Sequence, residues 1–167
     1  MKLPKRKSIR LKNYDYSQNG AYFVTICTHN RECLLCEIVG APIGRPSVRL
    51  SPYGKIVEIG IQNIQIHYNN VKCEKYIIMP NHIHLIIEMC QHSENGRPMV
   101  APTLAGIINQ MKGYISKQIG QPIWQKGYHE HIIRNEKEYQ RIWEYIDHNP
   151  QKWVDDCYHK KYDDIHT

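Results

Sequence analysis

Phenylalanine is all but missing from this chain: one residue in 167, against twelve tyrosines. The aromatic rings therefore mostly carry polar tips, useful at a surface or in a groove as well as in a core. No apolar run approaches the ~18 residues that a membrane-spanning helix needs, which excludes a helical membrane protein. Cysteine occurs six times at scattered spacings, and the N-terminus has no signal-peptide pattern. Both features argue against a disulfide-stapled secreted domain and for reduced thiols in a cytoplasmic protein. Acidic side chains are outnumbered 16 to 22, and the formal net charge is +6 with ten histidines counted neutral. That balance suits an anionic partner, of which nucleic acid is the commonest for a small soluble protein. Internal repeats are lacking too: Gly96-Arg97-Pro98 echoes Gly44-Arg45-Pro46, but three residues make no repeat.

What is present is ordinary for a globular domain: 41% hydrophobic and 23% charged residues over a length that suits one domain, residues 1–167. The first twenty residues form a basic lead-in. Lys2, Lys5, Arg6, Lys7, Arg10 and Lys12 have almost nothing to bury, and they make either an arm that lies on phosphates or a solvated terminus. Ala21 to Thr28, rich in aromatic and β-branched residues, reads as a strand. Asn30 to Val39 reads as a short hairpin or irregular edge, and Gly40 to Pro46 as a loop.

From Ser51 to Tyr68 the period becomes helical, with Ser51 as N-cap, Pro52 in the first position, and Ile56, Ile59, Ile61, Ile64 and Ile66 as the apolar set. Val71 to Pro80 is a second strand, and Pro80-Asn81 links it tightly to a third, Met79 to Met89, as an antiparallel hairpin. Gln91 to Pro102 is a polar loop. Thr103 caps a helix running to Ile119, striped by Leu104, Ile107, Ile108, Met111, Ile115 and Ile119. His129 to Arg134 is a fourth strand, and Asn135 caps a last helix from Glu136 to about His148, where Pro150 stops it. A polar tail follows from Gln151, with Trp153 and Tyr158 as possible anchors. The fold class expected is α+β: a ferredoxin-like split βαβ arrangement with a central antiparallel sheet, helices on one face, and an added C-terminal helix.

The third strand carries the chemistry. Residues two apart on a strand share a face, so His82 and His84 project together while Ile83, Leu85 and Ile87 pack on the other side. On the last helix Tyr145 and Asn149 are four apart and also share a face. Two imidazoles and an amide oxygen can hold a divalent ion with open positions, and the negative end of the helix dipole favours a cation near Asn149. Such an ion would polarise a phosphodiester while Tyr145 attacks phosphorus; a phenol, with a pKa near ~10, needs help to lose its proton.

Four blocks carry a resemblance to the HUH single-tyrosine transposases, most closely their REP-associated branch. They are Tyr14-Asp15-Tyr16-Ser17 with Gly20-Ala21-Tyr22-Phe23-Val24-Thr25, then Met79-Pro80-Asn81-His82-Ile83-His84, then Trp124-Gln125-Lys126-Gly127-Tyr128, then Tyr145-Ile146-Asp147-His148-Asn149-Pro150. They occur in the family's order and span about residue 5 to Trp153. The resemblance implies a Mg2+ or Mn2+ ion on His82, His84 and Asn149, and Tyr145 as the nucleophile. Tyr145 would cut single-stranded DNA, join the 5′-phosphate and release a 3′-hydroxyl, with no nucleotide cofactor needed to rejoin. The related insertion-sequence enzymes typically have glutamine where this chain has Asn149, which favours the REP-associated branch. That branch implies a palindromic DNA hairpin with a single-stranded flank as partner, touched by the N-terminal arm, and a monomer rather than a dimer.

Other assignments stay open at this level. Lys112, Lys117, Lys126 and Arg134 are phosphate contacts or solvated charge, and Trp124, with Tyr22 and Tyr128, stacks on bases or closes the core. Tyr114 is the rival nucleophile, His129 and His131 the rival metal pair, and His148 a conceivable proton shuttle. Cys33-Leu34-Leu35-Cys36 has zinc-like spacing without a second pair. Against the nuclease stand a non-catalytic ferredoxin-like module that binds hairpin DNA, and a metal-dependent hydrolase that uses water.

Overall fold

The computed structural model describes residues 19–40, 45–90 and 102–155. The basic arm with Lys5, Arg6, Lys7, Arg10 and Lys12, the Tyr14–Ser17 block, most of both Gly/Pro-containing loops and Tyr158 lie outside the described residues. In chain order the elements are β1 (Gly20–Cys27), β2 (Cys36–Val39), β3 (Ser47–Leu50), α1 (Pro52–His67), β4 (Val71–Ile78), β5 (His82–Met89), α2 (Leu104–Ile119), β6 (His129–Ile133) and α3 (Glu136–His148), followed by a 3-10 segment, Asn149–Asp155. No helix among the described residues is long and apolar enough to cross a membrane.

The main sheet has the order β4-β5-β1-β6, every neighbour antiparallel, which is the ferredoxin-like arrangement expected. β4 and β5 form a tight hairpin: Ile78 pairs with Ile83, and Met79 N–H donates to the His82 carbonyl across Pro80-Asn81. A bulge at Cys73/Lys75 shifts the register within β4. β2 and β3 pair only with each other, in a separate ribbon. The strand Ser47–Leu50 was not anticipated, because its four residues follow directly on a stretch dense in glycine and proline.

Each helix begins at the cap its sequence suggests. The hydroxyls of Ser51 and Thr103 accept from the amides of Gly54 and Gly106, and the Asn135 side chain accepts from Glu138, each at the N-terminal turn that otherwise leaves N–H groups unpaired. Gly120 closes α2 at φ 85°, a left-handed conformation that costs a glycine little. The sheet buries one face against α1 and α2. Val24, Ile26, Ile83, Leu85 and Ile87 meet Val57, Ile61, Ile64, Ile107, Ile108 and Ile115, and each such side chain contributes about 1.5–3 kcal/mol on leaving water. Two of the α1 isoleucines expected in that core are not there: Ile59 is 49% and Ile66 73% exposed. Gly54 and Gly60 take the inner face instead, because α2 and a loop approach too closely for a side chain; a Cβ at Gly60 would lie 2.5 Å from Ile115.

α3 lies on the opposite face. It buries only Ile142 and Ile146, four apart, against Ile86 and Ile133, with Phe23 and Ile77 packed around them. Pro150 ends the α-helix at His148 but not the helical path. Asn149 stays in the right-handed region (φ −57°, ψ −44°), and its N–H turns to the nearer Ile146 carbonyl. Tightening to 3-10 pitch lets the chain continue past a proline that cannot donate.

Candidate active site

The alternation of β5 puts Ile83, Leu85, Ile87 and Met89 into the α1/α2 core, and His82, His84 and Ile86 on the face that α3 covers. Central placement between β4 and β1 holds this strand from both sides. His82 and His84 are fully buried, and their Nε2 atoms lie 3.1 Å apart. The outer nitrogens are held as well. His82 Nδ1 is 2.9 Å from Asn81 Oδ1, and His84 Nδ1 is 2.8 Å from Thr25 Oγ1, which the antiparallel register sets directly opposite. A polar partner on the far nitrogen fixes ring orientation, as it does for histidines that bind metals. Burial, and then the neighbouring His82, push the His84 pKa well below the usual histidine range, so the ring is neutral with a lone pair to offer.

Tyr145 completes the cluster from α3. Its hydroxyl is 3.4 Å from His84 Nε2, and its ring meets the His84 ring edge-on at 5.3 Å. Phe23 stacks on His84 at 5.1 Å and touches the Tyr145 ring by its edge, so a single phenylalanine braces both. Tyr145 remains 40% exposed, so α3 does not seal this residue into the core. The other tyrosine of α3, Tyr139, has its phenol pushed up to about 12, first by burial and then by Glu88 and Glu74, which disfavours its phenolate.

Asn149 is 2% exposed, and its Oδ1 is buried with no hydrogen-bond partner among the described residues. Unpaired buried oxygens are costly, and a cation is one group that satisfies them. The segment bearing Asn149 also brings Trp153 against His82, ring to ring at 6.0 Å. Two imidazoles on one rigid strand and an orphaned amide oxygen fit a hard divalent cation with open positions. Among the described residues no three His, Cys, Asp or Glu side chains gather, so a closed zinc-type cage is not built there.

The rival residues are placed elsewhere. Tyr114 sits on α2, packed on the core at the other side of the sheet. His131 Nε2 bonds Glu138 at 2.8 Å, tying β6 to the first turn of α3, and His129 is exposed. His148 Nδ1 donates back to the Glu144 carbonyl at 2.7 Å. Cys36 is buried with its thiol on the Ile78 carbonyl, while Cys33 is exposed. Of the basic residues, Lys117, Lys126 and Arg134 are exposed, whereas the half-buried Lys112 gives its ammonium to the carbonyls of Gln125 and Gly127 at 2.8 and 3.0 Å. Lys112 thus anchors the loop after α2. Trp124, 8% exposed and bridged to Thr28, closes the core, as does the fully buried Tyr22. Thr25 and Phe23 join the site through the β1–β5 register, which no spacing in the sequence displays.

A protein of Haemophilus influenzae described as uncharacterised is 34% identical to this chain over 169 residues, covering 90% of this chain and 91% of its own length. The two belong to one family. No family model matches the chain. Among solved structures, that of a REP-associated tyrosine transposase bound to a REP hairpin superposes with a TM-score of 0.63 at 20% identity, over 86% of this chain and 74% of that one. The central antiparallel sheet with its three helices is thus the fold of that transposase.

Proposed function

We propose that the chain is a single-strand DNA endonuclease and strand transferase of the REP-associated tyrosine transposase type, working on hairpin DNA in the cytoplasm. One observation carries this: two buried imidazoles on β5 turn their Nε2 atoms to the point where an exposed phenol on α3 arrives, 3.4 Å from His84. Packing alone does not call for that convergence. The shared fold and the hairpin named in the neighbour's description support DNA as the partner, as does the net charge of +6.

Tyr145 Oη attacks phosphorus, the P–O3′ bond breaks, and the 3′-hydroxyl leaves with a proton while the phenolic proton passes to a base. The product is a 5′-phosphotyrosine whose reversal rejoins strands. His82, His84 and Asn149 would hold a Mg2+ or Mn2+ ion, which when bound supplies Lewis acidity toward the phosphodiester oxygens. The β5 scaffold keeps the two rings in register, and Phe23 braces the His84 and Tyr145 rings. On this reading the site is complete within a monomer, with α3 seated on the sheet of its own chain.

The test is incubation of a hairpin oligonucleotide bearing a single-stranded flank with protein and Mg2+ or Mn2+, followed by denaturing electrophoresis. A covalent protein–DNA adduct that needs the ion and vanishes in Tyr145→Phe is expected. Binding without cleavage would favour the non-catalytic module, and cleavage without an adduct the water-using hydrolase.

A further inference from the structure

We infer that the Thr25 hydroxyl is a two-way partner that lets His84 change tautomer, carrying its proton on Nε2 in the metal-free protein and on Nδ1 when a cation is bound. This rests on the proposal that the histidine pair holds a divalent ion. The two histidines are not equivalent, and the difference lies in what stands behind each ring.

Behind His82 stands Asn81. Its Nδ2 is 3.2 Å from the Arg31 carbonyl oxygen, which can only accept, so the amide is oriented with Oδ1 toward His82. Arg31 holds that carbonyl in place from a left-handed backbone conformation, φ 56°, uncommon for a side-chain-bearing residue. An amide oxygen likewise only accepts, so His82 Nδ1 carries the proton and Nε2 presents a lone pair. His82 is preset for a metal.

Behind His84 stands Thr25, at 2.8 Å, and a hydroxyl both donates and accepts. Across the site, His84 Nε2 is 3.1 Å from His82 Nε2, already identified as a lone pair. Two lone pairs at that separation repel, and the Tyr145 hydroxyl, 3.4 Å from the same His84 Nε2, can accept as well as donate, so without a cation His84 presents Nε2–H to the nearer His82 and takes the Thr25 O–H on Nδ1. A bound cation needs both Nε2 lone pairs. His84 then loses the proton at Nε2 and gains one at Nδ1, with no net uptake, and the Thr25 hydroxyl rotates to accept. An asparagine at position 25 in place of the hydroxyl would offer only one of the two roles from any one orientation.

The experiment is long-range 1H–15N spectroscopy on histidine-labelled, metal-stripped protein at pH 8, titrated with Mg2+ and with Zn2+ as a tighter diamagnetic probe. Expected in the metal-free state are Nδ1–H for His82 and Nε2–H for His84; on titration His84 converts to Nδ1–H while His82 is unchanged. Thr25→Val should bind the cation ~10–100-fold more weakly, and Thr25→Ser should restore both affinity and conversion. His84 protonated on Nδ1 before any metal is added would overturn the inference, as would wild-type affinity in Thr25→Val or a His84 tautomer indifferent to the cation. A wild-type protein that binds neither ion sinks the metal site of the proposed function as well, whereas an adduct that forms without the tautomer change sinks only this inference.

Discussion

Lys75→Met asks how firmly the tyrosine helix is held. Lys75 Nζ lies 2.5 Å from Asp147 on α3 and 4.5 Å from the centroid of the Trp143 ring on the same helix. The ion pair is partly wet, at 23% and 37% side-chain exposure, so it is worth about 0.5–1 kcal/mol rather than the value of a dry pair. The cation–π contact adds about 0.5–1 kcal/mol. Against α3's two buried isoleucines, Ile142 and Ile146, a combined loss of about 1–2 kcal/mol is a large share of what docks the helix. Methionine keeps a stem of similar reach, so the change isolates charge from packing. Melting should fall by roughly 2–8 °C at this chain length. Amide exchange in α3 should quicken about 5–30-fold, the kinetic image of 1–2 kcal/mol. A double-mutant cycle with Asp147→Asn should return about 0.5–1 kcal/mol of coupling. If α3 exchanges at the wild-type rate and the coupling is zero, Lys75 does not hold the helix, and Tyr145 owes its position to the isoleucines alone.

Gly54→Ala should destabilise although alanine is the better helix former. The gain of about 1 kcal/mol in propensity is overtaken by a Cβ set 2.0 Å from the Leu35 carbonyl oxygen, where overpacking costs at least ~1–3 kcal/mol; urea unfolding measures the sign. Asn81→Ala should weaken cation binding ~10–100-fold in calorimetry, since His82 loses the acceptor that fixes its Nδ1–H. Iodoacetamide at pH 8 should label Cys33 and Cys90 in the native protein and spare Cys36 and Cys73. Burial pushes both of these thiols up to about 12, leaving roughly one in 10⁴ as reactive thiolate, and mass mapping before and after unfolding reads the contrast.

Much of this architecture was legible because local physics determined it. Alternation along His82–Met89 announced which side chains turn inward, and Ser51, Thr103 and Asn135 marked helix starts by the hydrogen bonds their side chains make. The isoleucines of α1 misled. Five of them between Ile56 and Ile66 cannot share one stripe, and the true contact face uses Gly54 and Gly60, whose contribution is the absence of a side chain. Pro150 does end the α-helix at His148 as expected, but proline's restriction on Asn149 does not end the helical path, because the chain continues by tightening its pitch. Thr25 escaped notice for another reason. Its meaning lies in a partner fifty-nine residues away, supplied by strand register.

The footing of α3 has a consequence for when the protein can act at all. Its apolar contacts are drawn from every strand of the main sheet: Phe23 from β1, Ile77 from β4, Ile86 from β5 and Ile133 from β6. No pair of strands offers the whole seat. The histidine strand precedes the helix carrying Tyr145 in the chain, but its rings lie on the face that this helix covers, so they are enclosed only when the helix docks on a sheet whose far edge β6 has closed. The phenol is therefore admitted last, by a surface that exists only when all four strands are home, so an unfinished or misassembled chain is left with paired histidines and no blade.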